Sequence, residues 1–142
     1  MADNLSKEDR RKNMQSIRSS HTKLEEVITK ELWNRGIRFR KNVKNLYGKP
    51  DIAIKKYKVV IFIDSCFWHG CELHGNMPET NQEYWRKKLI RNKQRDIEVT
   101  EYYLRKGWYI LRIWEHEINS DPQSTIQKII DHIQKAKKKL AR

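Results

Sequence analysis

Nine residues in the middle of the chain constrain the fold most, because their cysteines and histidines predict a metal-binding loop. Cys66, Cys71 and His74 follow the spacing C-x4-C-x2-H. Thiolates and imidazoles are the ligands that zinc prefers, and a structural zinc site has four of them. We expect His116 to be the fourth ligand, and His69 competes for that place. Such a site would fasten the loop to a distant strand. The alternative is a pair of reduced cysteines without a metal.

The charge of the chain points to a polyanionic partner. The 142 residues include 31 Lys and Arg against 18 Asp and Glu, a net charge of +13. Nucleic acid is the commonest polyanion that such a chain meets, and an anionic membrane surface or the ribosome is the alternative. No apolar run approaches the ~20 residues of a membrane span, and the polar N-terminus resembles no secretory signal. We therefore expect one domain in the cytoplasm.

The spacing of apolar and capping residues predicts an α/β (α+β) fold. Four helices are predicted, each beginning at a capping residue, with the bounds Ser6 to Arg18, Thr22 to Arg35, Thr80 to Lys106, and Asp121 or Ser124 to the C-terminus. Gly36 ends the second helix and Gly107 ends the third. Four apolar stretches predict strands, namely Ile37 to Lys41, Asp51 to Ile54, Lys58 to Asp64, and Trp108 to Trp114. This order favours a mixed central sheet flanked by helices. The first helix is polar on most faces, which is typical of an arm that orders on a partner.

A carboxylate at the start of the second strand is a candidate magnesium ligand. Asp51 follows the turn Gly48-Lys49-Pro50 and precedes a predicted hairpin that ends at Asp64. Mg²⁺ takes oxygen ligands and keeps several waters, so one or two carboxylates suffice. The alternative is that Pro50-Asp51 is an ordinary entry from a turn into a strand. Glu25 has a structural explanation of its own, because it fits a capping box that starts at Thr22.

Aromatic and basic residues follow the Cys/His loop and suggest contact with DNA. Phe67-Trp68 lie in that loop and Tyr84-Trp85 begin the long helix, which continues with Arg86, Lys87 and Lys88. Exposed aromatics can stack on bases, and the cations can follow a phosphate backbone. Trp85 has an equal claim to the core, since it and Leu89 are four residues apart. We expect the core to contain the remaining tryptophans, Trp33, Trp108 and Trp114.

Taken together, these motifs resemble the very-short-patch repair (Vsr) DNA mismatch endonucleases. The matching blocks run from about Asp9 to Ile118 and are Asn13-Met14, Gly48 to Asp51, Val59 to Asp64, Cys66 to Cys71, Tyr84-Trp85 and Trp108 to His116. The resemblance implies a restriction-endonuclease-like PD-(D/E)xK core with a structural zinc loop. It also implies nicking on the 5′ side of the T in T·G mismatches that arise when 5-methylcytosine is deaminated. The implied partners are a cytosine-5 DNA methyltransferase and the mismatch-repair machinery.

The resemblance also implies a role for individual residues. Asp51 and the main-chain carbonyl of Ile63 would bind Mg²⁺, His69 would transfer protons, and Glu25 and Asp96 would support them. Zinc would be held by Cys66, Cys71, His74 and His116. The residues expected to contact DNA are Met14, Phe67, Trp68, Trp85, Arg86, Lys87 and Lys88. The chain is expected to act as a monomer, with a DNA-contacting arm over residues 1–20 and one endonuclease domain over residues 21–142.

One departure from the family pattern leaves a question open. The Lys of the PD-(D/E)xK motif is missing, and Asp64 ends the strand near where some members carry a basic residue. Either His69 supplies the proton chemistry or Asp64 takes part in metal binding. Two rival functions also stay open: a non-catalytic zinc-containing DNA-binding protein, and a related endonuclease that acts on unmismatched DNA.

Overall fold

The computed structural model describes residues 7–65 and 81–140. The helices are α1 (Lys7–Asn34), α2 (Gln82–Arg105), α3 (Glu115–Ser120) and α4 (Pro122–Leu140), and a single 3-10 turn spans Lys55–Tyr57. The strands are β1 (Arg40–Lys41), β2 (Ile52–Ile54), β3 (Val59–Asp64) and β4 (Tyr109–Trp114). No helix in these described ranges is both long and apolar enough to span a membrane.

The strands form one mixed sheet in the order β1-β2-β3-β4. The first two pairings are antiparallel, and β2 faces β3 with Ile52 opposite Ile61. β3 and β4 run parallel, with Asp64 opposite Trp114, because the long crossover between them contains α2. The predicted mixed α+β architecture and the hairpin after Ile54 are therefore confirmed.

The two faces of the sheet carry separate apolar cores. On one face, Ile52, Ile61 and Ile63 pack with residues of α1 and α4 in the larger cluster. On the other face, Val60 and Phe62 alternate with them and pack with Val99 and Tyr103 of α2. The alternation follows from the two-residue period of a strand, and both faces are apolar because helices cover both. The face that contacts α2 carries the candidate site.

The prediction of two N-terminal helices is wrong, because α1 runs without a break from Lys7 to Asn34. The stretch between residues 18 and 22 holds neither Gly nor Pro, so nothing there prevents the helix from continuing. Thr22 is consequently an interior residue and not a cap. The predicted stop at Gly36 is confirmed: its φ is +87°, and Ile37 N–H donates to the Leu32 carbonyl.

Three further details differ from the sequence prediction. β1 contains only Arg40–Lys41, and the short helix α3 follows β4 directly, so His116 lies in a helix and not at a strand end. Trp33 was expected in the core but is 48% exposed, because α1 presents it beside Phe39 at the surface. Of the two predicted starts of α4, the structure selects Asp121, whose carboxylate accepts a hydrogen bond from Ser124 N–H.

Candidate active site

The turn before β2 positions Asp51 against α2. Gly48 and Lys49 have positive φ angles of 76° and 53°, and Lys49 N–H donates to the Leu46 carbonyl. The hydroxyl of Tyr103, on α2, donates to the Tyr47 carbonyl. Burial, with a smaller contribution from Tyr102, raises the pKa of Tyr103 to about 12. The phenol therefore stays protonated and holds the turn to the helix at neutral pH.

The carboxylate of Asp51 is bound to the neighbouring strand. Its Oδ2 accepts a hydrogen bond of 2.7 Å from the Ile63 N–H. Continuing the β2–β3 register by one pair sets Asp51 opposite Phe62, so Asp51, Phe62 and Asp64 lie on the same face of the sheet. This bond fixes one oxygen of the half-buried carboxylate beside the backbone of β3.

A cleft of about 430 Å³ lies between this face of the sheet and α2. Asp51, Ile63 and Asp64 line its sheet side, and Asp96 lines its helix side. The cations that line the cleft are Lys49, Lys88, Arg95 and Arg112. Three carboxylates and four cations thus meet in one concave surface, which suits a ligand with both an anionic group and a bound cation.

Arg112 occupies the middle of the charge network in this cleft. Its Nη1 lies 3.0 and 3.3 Å from the two carboxylate oxygens of Asp64 and 3.8 Å from Oδ1 of Asp96. Its Nε donates to Thr100 Oγ1, its Nη2 donates to the Asp96 carbonyl, and its guanidinium lies 4.5 Å from the centre of the Phe62 ring. Sequence reasoning missed Arg112. The available signal was a charged residue inside the apolar strand Trp108 to Trp114.

The first turns of α2 bring aromatic and basic side chains together at one end of the cleft. The ring centres of Tyr84 and Trp85 are 5.3 Å apart, and Nζ of Lys88 lies 5.5 Å from the centre of the Trp85 ring. Trp85 is half-buried, so it is neither a core residue nor fully exposed. Arg86 and Lys87 are exposed and do not line the cleft.

Two predicted site residues of the described chain lie elsewhere. Glu25 is half-buried on α1, and it does not line the cleft. His116 lies in α3, where its ring stacks on Trp114 with the ring centres 6.3 Å apart. Met14 belongs to α1, and only its place in the helix is described. The remaining predicted residues lie outside the described ranges: Cys66, Phe67, Trp68, His69, Cys71 and His74.

The donors around Asp51 are oxygen atoms, which fit a hard cation such as Mg²⁺ or Mn²⁺ better than zinc. Between residues 7 and 65 and between 81 and 140, no three side chains of His, Cys, Asp or Glu are grouped so that they could hold a metal ion. Mg²⁺ needs no such group, because it is commonly held by one or two carboxylates together with water and substrate phosphates. Asp51 and the main chain of Ile63 can supply oxygen ligands of this kind. The zinc site stays a prediction, because three of its four ligands lie outside the described ranges.

The fold and the charged cleft define a basic α+β protein suited to act on a phosphate-bearing polymer. Comparison with known proteins identifies the class further. The family described as DNA mismatch endonuclease Vsr matches residues 2–74. A type II nicking enzyme of Neisseria meningitidis serogroup C is 40% identical over 129 residues, which cover 89% of this chain and 87% of that protein. A type II nicking enzyme of Lentzea aerocolonigenes is 41% identical over 130 residues, covering 88% and 78% of the two chains.

A third relative is described as a mismatch endonuclease. The DNA mismatch endonuclease Vsr of Escherichia coli K12 is 32% identical over 136 residues, which cover 94% of this chain and 86% of that protein. The chain therefore belongs to the Vsr family of DNA endonucleases. This result confirms the predicted family and an enzyme of the nuclease class, and it argues against the non-catalytic alternative.

Proposed function

We propose that the protein is a strand-specific, Mg²⁺-dependent nicking endonuclease that cleaves 5′ of the mismatched T in T·G mismatches. These mismatches arise by deamination of 5-methylcytosine, and the nick would begin very short patch repair. The observation that carries the proposal is the Asp51 carboxylate, which is bound to Ile63 N–H in a cleft lined by cations. A scissile phosphate needs both features, a divalent cation and positive charge around it.

The chain's own groups can share the hydrolysis as follows. When bound, Mg²⁺ offsets negative charge on the reacting phosphate and its leaving oxygen. Asp51 and the Ile63 carbonyl would hold the ion, and His69 would exchange a proton with the attacking water, since its ordinary pKa of ~6.5 suits neutral pH. Asp96 lines the same cleft and would support the hydrolysis from the helix side. Glu25 would act in a supporting role from outside the cleft lining.

DNA would lie along α2 and across the mouth of the cleft. Arg86, Lys87 and Lys88 would contact phosphates, and Trp85 would stack at the mismatch with Phe67 and Trp68 of the preceding loop. A mismatched pair costs less to unstack than a matched one, which favours entry of aromatic side chains there. Residues 1–20 would act as an arm that carries Met14 to the minor groove, and residues 21–142 would form the endonuclease domain. Zinc on Cys66, Cys71, His74 and His116 would hold the loop in shape.

A second candidate is an endonuclease that nicks unmismatched DNA. The Neisseria and Lentzea relatives are both described as type II nicking enzymes, and that description names no mismatch. We favour the mismatch because the matching family is described as DNA mismatch endonucleases and because of the aromatic pair at the start of α2. The proposed partners are a cytosine-5 methyltransferase, which creates the lesion's precursor, and the mismatch-repair machinery. The protein would nick as a monomer.

A nicking assay with two duplexes distinguishes these candidates. The duplexes differ only in a T·G or a C·G pair, each strand carries its own label, and reactions contain Mg²⁺ or EDTA. We expect a nick 5′ of the mismatched T, in Mg²⁺ only, and little cleavage of the matched duplex. Equal cleavage of both duplexes would support the second candidate. Cleavage in EDTA would contradict the metal assignment.

A further inference from the structure

The guanidinium of Arg112 is largely buried and makes several hydrogen bonds within the protein. Its side chain is 21% exposed and that of its partner Asp64 is 7% exposed. The guanidinium donates to Asp64, Asp96 and Thr100, which belong to β3 and α2. A guanidinium has five N–H donors in a fixed fork, and here they join three elements at one point. These bonds hold the guanidinium in place within the protein, at the lining of the cleft.

Asp64 lies close to the candidate metal ligand Asp51, so its ion pair with Arg112 bears on metal binding. Asp64 lies on the same sheet face as Asp51, directly after the residue whose N–H binds Asp51. Both carboxylates line the cleft. A divalent cation binds more tightly as the number of carboxylate ligands rises. A carboxylate beside the candidate metal ligand would therefore alter metal binding unless a cation held it.

We propose that Arg112 is a positioning residue that withholds Asp64 from the metal and so leaves Asp51 as the acidic ligand in the cleft. The same contacts fasten α2, through Asp96 and Thr100, to the strands that carry the site. This inference rests on the proposed function, because it assumes that Asp51 binds a divalent cation. It answers the question left open by the missing Lys: Asp64 is a partner of Arg112 and not a metal ligand.

Metal affinity in the absence of DNA tests the inference independently of nicking. Mn²⁺ is titrated into the full chain, and binding is followed by proton relaxation of water. We expect Asp64→Asn to change the Mn²⁺ affinity by about threefold or less. That is the size of effect expected when a nearby charge that does not bind the metal is removed and solvent screens it. A loss of tenfold or more in this variant, which keeps the shape of the side chain, would show that Asp64 is a ligand and would overturn the inference.

The complementary variant removes the cation. Arg112→Gln should raise the Mn²⁺ affinity about tenfold, because Asp64 could then join Asp51, and the double variant Asp64→Asn, Arg112→Gln should return it to near the original value. Arg112→Lys keeps the charge and should stay near the original value. Arg95→Gln is the matched control, since it removes a cleft cation of equal charge and leaves the Asp64–Arg112 pair intact.

The outcomes separate this inference from the proposed function. An Arg112→Gln protein that folds but binds Mn²⁺ no better than Arg95→Gln contradicts the role of Arg112. If Arg112→Gln does not fold, the Asp64→Asn result decides alone. The proposed function fails instead if Asp51→Asn binds Mn²⁺ as well as the unmodified chain, whatever Arg112 does.

Discussion

A Cβ atom built on Gly48 would lie 2.6 Å from Cγ1 of Val99, which is closer than two carbon atoms can approach. The turn that presents Asp51 therefore fits against α2 only with glycine at this position. The φ of Gly48, +76°, adds a second reason, because residues with a Cβ rarely adopt that conformation.

Gly48→Ala should lower the free energy of unfolding by about 2–4 kcal/mol, because it adds a steric clash to the strain of a positive φ. Gly107→Ala is the control. Its φ is also +76°, but nothing lies within 4 Å of the added Cβ, so we expect a loss of about 1 kcal/mol. Chemical denaturation measures both. Equal losses in the two variants would mean that the contact with Val99 has no energetic weight.

Asp51→Asn should abolish nicking while leaving DNA affinity almost unchanged, since it removes a metal ligand and no cation. Nicking of a T·G duplex and binding to the same duplex are measured side by side. Asp131→Asn, an exposed residue of α4 that is bonded only locally to Gln127, is the control and should nick normally. Sustained Mg²⁺-dependent nicking by Asp51→Asn would remove the basis of the proposed site.

The double variant Phe67→Ala, Trp68→Ala should lose its preference for T·G over the matched duplex, because stacking of a base on an aromatic ring is worth about 1–3 kcal/mol. Binding that depends on phosphate contacts and on salt should persist. Affinities for both duplexes at two salt concentrations measure this. Trp85→Ala should show part of the same loss, and Tyr47→Ala, on the turn beside Tyr102, provides an aromatic control away from the first turns of α2. A preserved mismatch preference would mean that the loop aromatics do not enter the stack.

The chain should carry one zinc ion, bound by Cys66, Cys71, His74 and His116. Metal analysis of the purified protein measures its content, and a chelator should lower the melting temperature. His116→Gln should reduce zinc retention and produce the same thermal loss without chelator. His132→Gln, a histidine at the other end of the sheet, should retain zinc. A purified protein without zinc would contradict the zinc site and support reduced cysteines that bind no metal.

Stability should fall in mild acid because of His132. In the described part of the chain its Nε2 is buried without a hydrogen-bond partner. Burial lowers the pKa of His132, Lys135 adds to the decrease, and a hydrogen bond to the backbone of Tyr109 opposes it. The unfolded chain therefore binds the proton more readily, so stability is complete above about pH 6.5 and is lost as the pH falls through the folded pKa.

His132→Phe tests this effect, because it keeps a ring next to Tyr109 and removes the titrating group. Melting temperatures between pH 8 and pH 5 should fall less for the variant than for the unmodified chain. Equal acid sensitivity of the two proteins would show that other groups control it.

The sequence was most informative where local rules decide the structure. Gly36 and Gly107 were expected to end helices and both have the positive φ that this requires. The apolar run between Lys58 and Asp64 predicted β3, and its register with β2 places Asp51 on the sheet face that contacts α2. These features depend on a few neighbouring residues, which is why the sequence reveals them.

Features that depend on distant contacts were not predictable. The capping box at Thr22 suggested a break there, but the same residues also fit the interior of a helix, and α1 continues through them. Arg112 illustrates the same limit, because its partners lie 12, 16 and 48 residues away. The spacing of charges along a strand does not reveal which of them will meet.

The continuity of α1 has a mechanical consequence. A helix of 28 residues is about 42 Å long, and each added residue turns what precedes it by about 100° and moves it by about 1.5 Å. The orientation of residues 7–20 about the helix axis is therefore fixed by Ile28 and Leu32, which pack in the core. One residue inserted near position 21 would turn the preceding part of the helix by about 100°, whereas seven residues, about two turns, would nearly restore the angle some 10 Å farther out. An insertion therefore changes the distance of residues 7–20 from the core gradually, but it changes their orientation about the helix axis sharply with each added residue.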